Sequence, residues 1–429
     1  MAAQFKADRD YAFALDRDDQ LHQFIQRFYK LPDTIYMDGN SLGLLSRDSE
    51  ASLLRILDEW KNLGINGWMN ADIPWFYYTE KLAAMQASLM GAQANEVIVT
   101  ASTTVNLHSL VRTFFRPREG KDKILMDELN FPSDIYAVKA ILKNSGLDPD
   151  THLVLVPSAD GRMLDESTII GHMRDDVMLA IFPAVLYRSG QLLNIRQLTA
   201  AAHDKDIMIG FDCSHSAGAV PHTFDADGID FAFWCNYKYM NNGPGGTASL
   251  YINQQQLPAH PALAGWWGYD KQHQFDMDLE FHPSETAGAF QTGTPHLLST
   301  APLEGSLKLY EEAGIHNLRK KSLRLTSYLI YLMDMILPES KSGFHIGSPR
   351  ENEKRGGHVA LEHEEALRIN EALKHRRVLP DFRFPNVIRL APVPLYTSFI
   401  EVRDTVNHLK EIIESAEYRN YSKKRGDVA

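Results

Sequence analysis

Phe231 to Gly246, FAFWCNYKYMNNGPGG, sets one lysine between two opposite kinds of sequence. Before Lys238 runs an apolar segment, Ile229 to Cys235, that predicts a buried strand; after it, Asn241, Asn242, Gly243, Pro244, Gly245 and Gly246 are turn formers. Lys238 therefore stands where a strand ends and a tight loop begins. In open α/β sheets ligands bind at strand ends, and a lysine drawn partly out of water there gives up its proton more readily and can form a Schiff base. A lone lysine after a strand is usually a solvated surface residue, so its neighbours decide.

Upstream, Asp206 to Phe211, DIMIGF, predicts another buried strand, with Asp212 at its end and Cys213, Ser214 and His215 behind it. From Asp212 to Lys238 is 26 residues, room for one connection and one further strand. Both side chains can then reach one site from neighbouring strand ends. Such a pair suits pyridoxal phosphate, which needs a lysine to hold its aldehyde and a carboxylate to keep its ring nitrogen protonated. By itself an Asp at a strand end is more often a cap or turn residue.

Outward from this pair the chain alternates. Strands are expected at Glu96 to Thr100, Lys123 to Met126, His152 to Val156, Val177 to Phe182, Ile207 to Phe211, Ile229 to Cys235 and Thr247 to Ile252, with helical patterns between several of them. That alternation implies a mostly parallel sheet covered by helices on both faces. Ala101 to Thr104 opens a helix directly after a strand, a place where free backbone N–H groups and hydroxyls bind phosphate or simply cap the helix. Phe131, in FPSD, lies on another strand-end loop, where a ring can stack on a cofactor or enter the core.

Toward the N-terminus, Leu21, Phe24, Ile25 and Phe28 predict a helix with one apolar face, and Ser46 to Gly64 predicts another carrying Leu53, Leu57, Trp60 and Leu63. Between Ile65 and Tyr78 an aromatic-rich loop suits a ligand or subunit contact, or packing on the core. Beyond residue 300 a long helical region, Leu303 to Leu337, leads through a polar stretch, Pro338 to Gly357, read as surface loops. The expected division is an N-terminal segment, 1–35, a large domain, 36–300, and a small α+β domain, 301–429. Arg389 lies inside the apolar strand Val387 to Pro392; a buried guanidinium needs an anionic partner, either a ligand carboxylate or an internal one.

The 429 residues carry a formal net charge of −11, which argues against nucleic acid or an anionic membrane as partner. The two cysteines, Cys213 and Cys235, fall in or beside core strands, which suits a reducing, cytoplasmic compartment rather than a disulfide framework. No apolar run approaches the ~18 residues of a membrane span. His358 and His363 do not have helical metal-ligand spacing, and no metal is expected.

Taken together, DGNSLGL from Asp38, TVNLH from Thr104, FPSD from Phe131, GFDCSHSAG from Gly210, FWCNYKYMNNGPGG from Phe233, GWWG from Gly265 and IRLAPVPLY from Ile388 resemble the kynureninase family, within the aspartate-aminotransferase-like fold of pyridoxal-phosphate enzymes. The resemblance implies that fold, with a seven-stranded sheet, and a reaction: hydrolytic Cβ–Cγ cleavage of L-kynurenine to anthranilate and L-alanine. It assigns Lys238 as the Schiff-base lysine, Asp212 as partner of the ring nitrogen, Phe131 as the stacking ring and Thr103 and Thr104 as phosphate ligands. Ser133, Asp134, His215 and Tyr237 match further cofactor positions, Tyr237 also being the candidate acid–base group for the later steps. Trp266 and Thr294 match residues supplied across a homodimer interface, Arg389 matches the holder of the substrate's α-carboxylate, and Ser41, Trp68 and Thr294 match further substrate positions. Members favouring 3-hydroxykynurenine tend to carry His and Asn where this chain has Trp68 and Thr294, which implies a preference for the unhydroxylated ring.

The same fold also carries aminotransferases, the alternative reading, and cysteine desulfurases. A desulfurase needs a nucleophilic cysteine on a mobile loop, whereas both cysteines here precede Lys238 in apolar strands. A binding protein that kept only the fold would have little use for Lys238, Asp212 and Arg389 together.

Overall fold

The computed structural model describes residues 5–424 and Gly426. Its centre is a seven-stranded sheet of Val97–Val99 (β1), Lys123–Asp127 (β2), Leu153–Val156 (β3), Val177–Pro183 (β4), Met208–Asp212 (β5), Phe231–Trp234 (β6) and Ser249–Ile252 (β7), in the order β1-β7-β6-β5-β4-β2-β3. All neighbours pair in parallel except β7, which runs antiparallel to both β6 and β1. β1, β6 and β7 are buried throughout, as continuous apolar runs without alternation require when helices cover both faces. The expected seven strands are all present, with ends that differ from expectation by a residue or two.

Capping explains the helices that flank the sheet. Ser46 accepts a hydrogen bond from Ser49 N at 3.0 Å and starts the helix Arg47–Leu63, which Gly64 ends at φ 53°. Tyr78–Met90 stops at Gly91, whose φ of 60° is left-handed and whose missing Cβ would lie 2.6 Å from the His222 carbonyl.

Three expectations change. The apolar set Leu21, Phe24, Ile25 and Phe28 forms a short 3-10 segment, His22–Arg27, because Asp19 turns the chain by accepting from Leu21 N at 3.0 Å and Phe28 is extended to bridge Ser46. The α-helix of that region lies earlier, at Arg9–Arg17. The long helical region starts sooner and is two helices, Leu297–Ala313 and Ile315–Ile336, broken at Gly314 with φ 75°. Pro338 to Gly357 is no set of surface loops: Arg355 is fully buried within it. Its five N–H groups bond Thr326 Oγ1, Ser327 Oγ, Asn352 Oδ1 and the carbonyls of Pro349 and Arg350, so the guanidinium plugs the loop from inside.

A second sheet, antiparallel, contains His345–Ile346 (β8), Val359–Glu362 (β9), Asp381–Arg383 (β10) and Val387–Leu390 (β11) in the order β10-β11-β9-β8. It shares an apolar core with the helices Ile315–Ile336, Ala366–His375 and Phe399–Glu414, and Ala12, Leu15 and Met37 from the start of the chain join that core. Asp16 accepts from Phe399 N at 2.7 Å and Ile400 N at 3.0 Å, satisfying the first turn of the last long helix. Residues 1–4 of the expected N-terminal segment lie outside the described residues.

Candidate active site

β5 and β6 are parallel neighbours, with Asp212 paired to Phe233, so the ends of these two strands open on the same side of the sheet. Asp212 is buried at one end, its carboxylate accepting from Ser214 N at 2.8 Å. Burial raises its pKa, and the nearby Lys238 charge opposes the rise. From the loop after β6, Lys238 Nζ lies 3.0 Å from His215 Nε2 and 6.0 Å from the centre of the Phe131 ring. His215 is buried, and burial followed by the Lys238 charge holds its pKa well below the usual histidine value. The imidazole is thus neutral, with one nitrogen free to accept from the lysine.

Gly43 fixes the floor of this corner. Its N–H donates to Tyr237 O at 2.8 Å, and any Cβ there would lie 2.5 Å from Lys238 O and 2.2 Å from Asn241 Oδ1. Only glycine lets the Asp38 to Gly43 turn dock on the lysine loop. Tyr237 is half-buried, and its phenol is pushed up by Cys235 first and burial second, so it is a proton donor at neutral pH.

Asp134 sits behind Asp212, buried; burial first and then the Asp212 charge raise its pKa well above the carboxylate range. Thr103 and Thr104 open the helix Thr103–Phe114, whose N-terminus carries no side-chain cap, and Thr104 Oγ1 lies 2.9 Å from Ser133 Oγ at the start of the helix Pro132–Asn144. Phe131 is 42% exposed and meets Tyr187 edge-on at 5.4 Å, so one ring face remains open. These residues fit a phosphorylated pyridine: a buried carboxylate for a ring nitrogen, an uncapped helix start with hydroxyls for a phosphate, an open aromatic face, and a lysine for an aldehyde.

Arg389 lies on β11, almost fully buried, directly across from Asp381 on β10. Its Nε and Nη2 both donate to Asp381 Oδ2, Nη1 donates to Tyr187 O at 2.5 Å, and Nη2 also reaches Ser41 Oγ at 3.2 Å. An internal carboxylate therefore does partner this arginine. Asp38 stands beside the pair, its pKa raised to about 6 by burial and by Asp381.

Of the remaining three candidates, Thr294 lines a cavity with Ser102 and Val105 beside the start of the helix Thr103–Phe114, and the two tryptophans lie among aromatic rings. Trp68 meets Trp75 at 5.7 Å and Trp267 at 5.3 Å and lines a cavity of 640 Å³ that Thr294 also lines. Trp266 is 45% exposed beside Trp267 and Phe275. None of the hydrogen bonds or ring contacts of the described residues joins these three to Lys238.

Comparison with known proteins then decides the family. The chain is 54% identical over 420 residues to a kynureninase of Geobacillus thermodenitrificans, covering 98% of each chain. It is 52% identical over 425 residues to a kynureninase of Bacillus anthracis, covering 99% of each. The chain belongs to the kynureninase family. The family model of the kynureninase C-terminal domain matches residues 318–409. Among solved structures, a C-DES variant with glycine covalently linked to its PLP cofactor superposes with a TM-score of 0.78 at 18% identity, over 90% of this chain and 98% of that one. A cysteine desulfurase of Thermococcus onnurineus gives 0.75 at 18% identity, over 96% and 100%. These two establish the fold, the aspartate-aminotransferase-like architecture. Membership makes the chain a pyridoxal-phosphate-dependent hydrolase acting on carbon–carbon bonds.

Sequence reading missed four neighbours of the site: Asp38, Tyr187, Asp381 and Arg383. A signal existed for two of them. Asp381 and Arg383, two apart in DFR, share one face of any strand, and an apolar strand holding Arg389 follows at once.

Proposed function

We propose that this chain cleaves L-kynurenine to anthranilate and L-alanine in tryptophan degradation, a route toward NAD, with Lys238, Tyr237 and Asp212 as its catalytic groups. The supporting observation is Lys238 Nζ against the neutral His215, one strand away from the buried Asp212, in a family member of this identity. Bound pyridoxal phosphate supplies an electron sink for the carbanions at the substrate's Cα and Cβ. Asp212, buried beside the Lys238 charge, would hold a proton on the ring nitrogen and so keep this sink open. Phe131 would stack on the ring, Thr103, Thr104 and Ser133 would hold the phosphate, and Asp134 and His215 would complete the pocket. Arg389 and Ser41 orient the substrate through its α-carboxylate. Lys238 takes the α-proton with Nζ, and His215 Nε2 holds that amine in place between transfers. Water adds at Cγ and supplies the hydroxyl of the new carboxyl group, and Tyr237, its phenol protonated at neutral pH, gives a proton to Cβ as the Cβ–Cγ bond breaks.

Trp266 and Thr294, which make no hydrogen bond or ring contact with Lys238 among the described residues, serve the site of a second copy in this reading, and the working unit is a homodimer. Trp68 and Thr294 on one cavity wall favour the unhydroxylated ring over 3-hydroxykynurenine, because neither side chain there replaces both polar partners of the added hydroxyl. The division into segment 1–35, large domain 36–300 and small domain 301–429 belongs to the same reading. So does a cytoplasmic location, which two free, buried cysteines favour; no helix among the described residues is long and apolar enough to cross a membrane.

The test is turnover of L-kynurenine and 3-hydroxy-L-kynurenine by the loaded enzyme, following aromatic product and alanine together. Stoichiometric anthranilate and alanine, lost by at least about a thousandfold in Lys238→Ala, are expected. Amine transfer to a keto acid in place of cleavage would refute the reading.

A further inference from the structure

Arg389 is short of donors. A guanidinium has five N–H groups, and four of those on Arg389 are taken: two by Asp381 Oδ2, one by the Tyr187 carbonyl and one by Ser41 Oγ. One N–H on Nη1 remains, whereas a carboxylate is held in a fixed plane by two parallel donors. Releasing Asp381 would be costly, since this buried carboxylate would lose both of its Arg389 donors.

A second guanidinium stands at the same point. Arg383 lies on β10 two residues from Asp381, so both side chains leave the same face of the strand. Its Nε donates to the same Asp381 Oδ2, at 3.0 Å, and its Nη2 reaches the same Ser41 Oγ, at 3.4 Å. The two arginines thus bracket one hydroxyl and share one carboxylate oxygen. They differ in access: the Arg389 side chain is 1% exposed and that of Arg383 34%. Among the described residues, both N–H groups of Arg383 Nη1 and one of Nη2 have no acceptor. The Arg383 charge is close enough to be felt weakly at Tyr237 and His215.

Below about pH 6 the charges around this point leave room for one more anion. Arg383 and Arg389 face Asp381 and Asp38, and the last is half-protonated near pH 6. Whenever Asp38 carries its proton, two cations face one fixed anion.

We infer that Arg383 is a second substrate-carboxylate residue, which binds one oxygen of the α-carboxylate while the remaining N–H of Arg389 binds the other. The inference rests on the reading of Arg389 as a carboxylate holder and adds the donor that Arg389 lacks. It makes the carboxylate a bridge between a buried arginine that fixes position and a partly exposed one that first meets the ligand.

The test uses the holoenzyme and two probes that differ by one carboxylate, L-alanine and ethylamine, with the cofactor's absorbance reporting binding without turnover. In Arg383→Gln the dissociation constant for L-alanine should rise roughly ten- to hundredfold, while that for ethylamine stays within about twofold, and Arg383→Lys should recover part of the loss. Arg389→Lys is the comparator and should also weaken L-alanine selectively. If Arg389→Lys weakens L-alanine and Arg383→Gln does not, the second donor is refuted and the first stands. If Arg383→Gln weakens both probes alike, the residue is structural and the inference fails. If neither variant distinguishes the probes, the carboxylate site itself is misplaced and both readings fall.

Discussion

The strand-end corner and the aromatic rim of this molecule are built on opposite plans. In the corner, β5 ends on Asp212, β6 runs into the Lys238 loop, and Gly43 closes the floor within hydrogen-bond reach of Tyr237, so each reacting group is placed by its own chain. On the rim, Trp266 is almost half exposed, and Trp68 and Thr294 line an open cavity with no contact to the lysine. The contrast teaches where each kind of requirement is met. A group whose protonation must be held needs burial and fixed neighbours, which a sheet provides. A group that shapes one side of a substrate can wait on the surface until another copy brings it into place.

The harshest way to break the corner, after removal of Lys238, is to empty its carboxylate. Asp212→Ala should retain the fold but lose roughly a hundredfold or more in kcat, with the absorbance of the bound cofactor shifted; unchanged turnover would show that the ring nitrogen needs no partner here. The rim is tested by mixing. Lys238→Ala and Trp266→Ala chains, each inactive or weak alone, should regain about a quarter of wild-type activity when co-refolded in equal amounts, since half of the dimers then hold one intact site. No recovery would place Trp266 in its own chain's chemistry. A finer probe of the rim is Thr294→Asn, which restores a polar partner and should shift the ratio of kcat/KM toward 3-hydroxykynurenine by about tenfold.

The smallest effect returns to the own-chain side. Asp38 binds its proton more tightly when folded, up to about pH 6, than its ordinary value of 3.8 allows. Its contribution to stability is therefore greatest below that ordinary value and declines as pH rises to about 6. Asp38→Asn should remove this decline, gaining about 2 kcal/mol on wild type between pH 4 and pH 7 in urea unfolding. Parallel pH profiles for the two proteins would mean that Asp38 is solvated.

What could be read in advance follows the same division. Lys238 and Asp212 were legible because a buried strand is an unbroken apolar run and its end is marked by turn formers; local sequence carries both facts. The seven strands and the helix from Ser46 to Gly64 were legible for the same reason, through apolar patterning and capping. Asp381 and Arg383 were legible only as two residues on one strand face, because only antiparallel pairing places Asp381 opposite Arg389, and register cannot be read from one strand alone. Arg355 misled because a polar stretch usually lies in water, whereas here one guanidinium satisfies five groups at once and takes the loop inward. The aromatic loop after Gly64 has no period to follow; it settles as three short helical turns, with Trp75 Nε1 donating to Glu59 at 3.0 Å.

The carboxylate of Asp16, which closes the first turn of the helix Phe399–Glu414, also imposes an order in time. The two partners are separated by more than 380 residues, so during synthesis the start of the chain emerges long before the helix it caps exists. At ~5–20 residues per second that wait lasts roughly 20 to 80 seconds. Through it the apolar side of Arg9–Arg17, with Ala12 and Leu15, waits for its full core, and a chaperone that shields this helix would be guarding a contact that can form only late in synthesis.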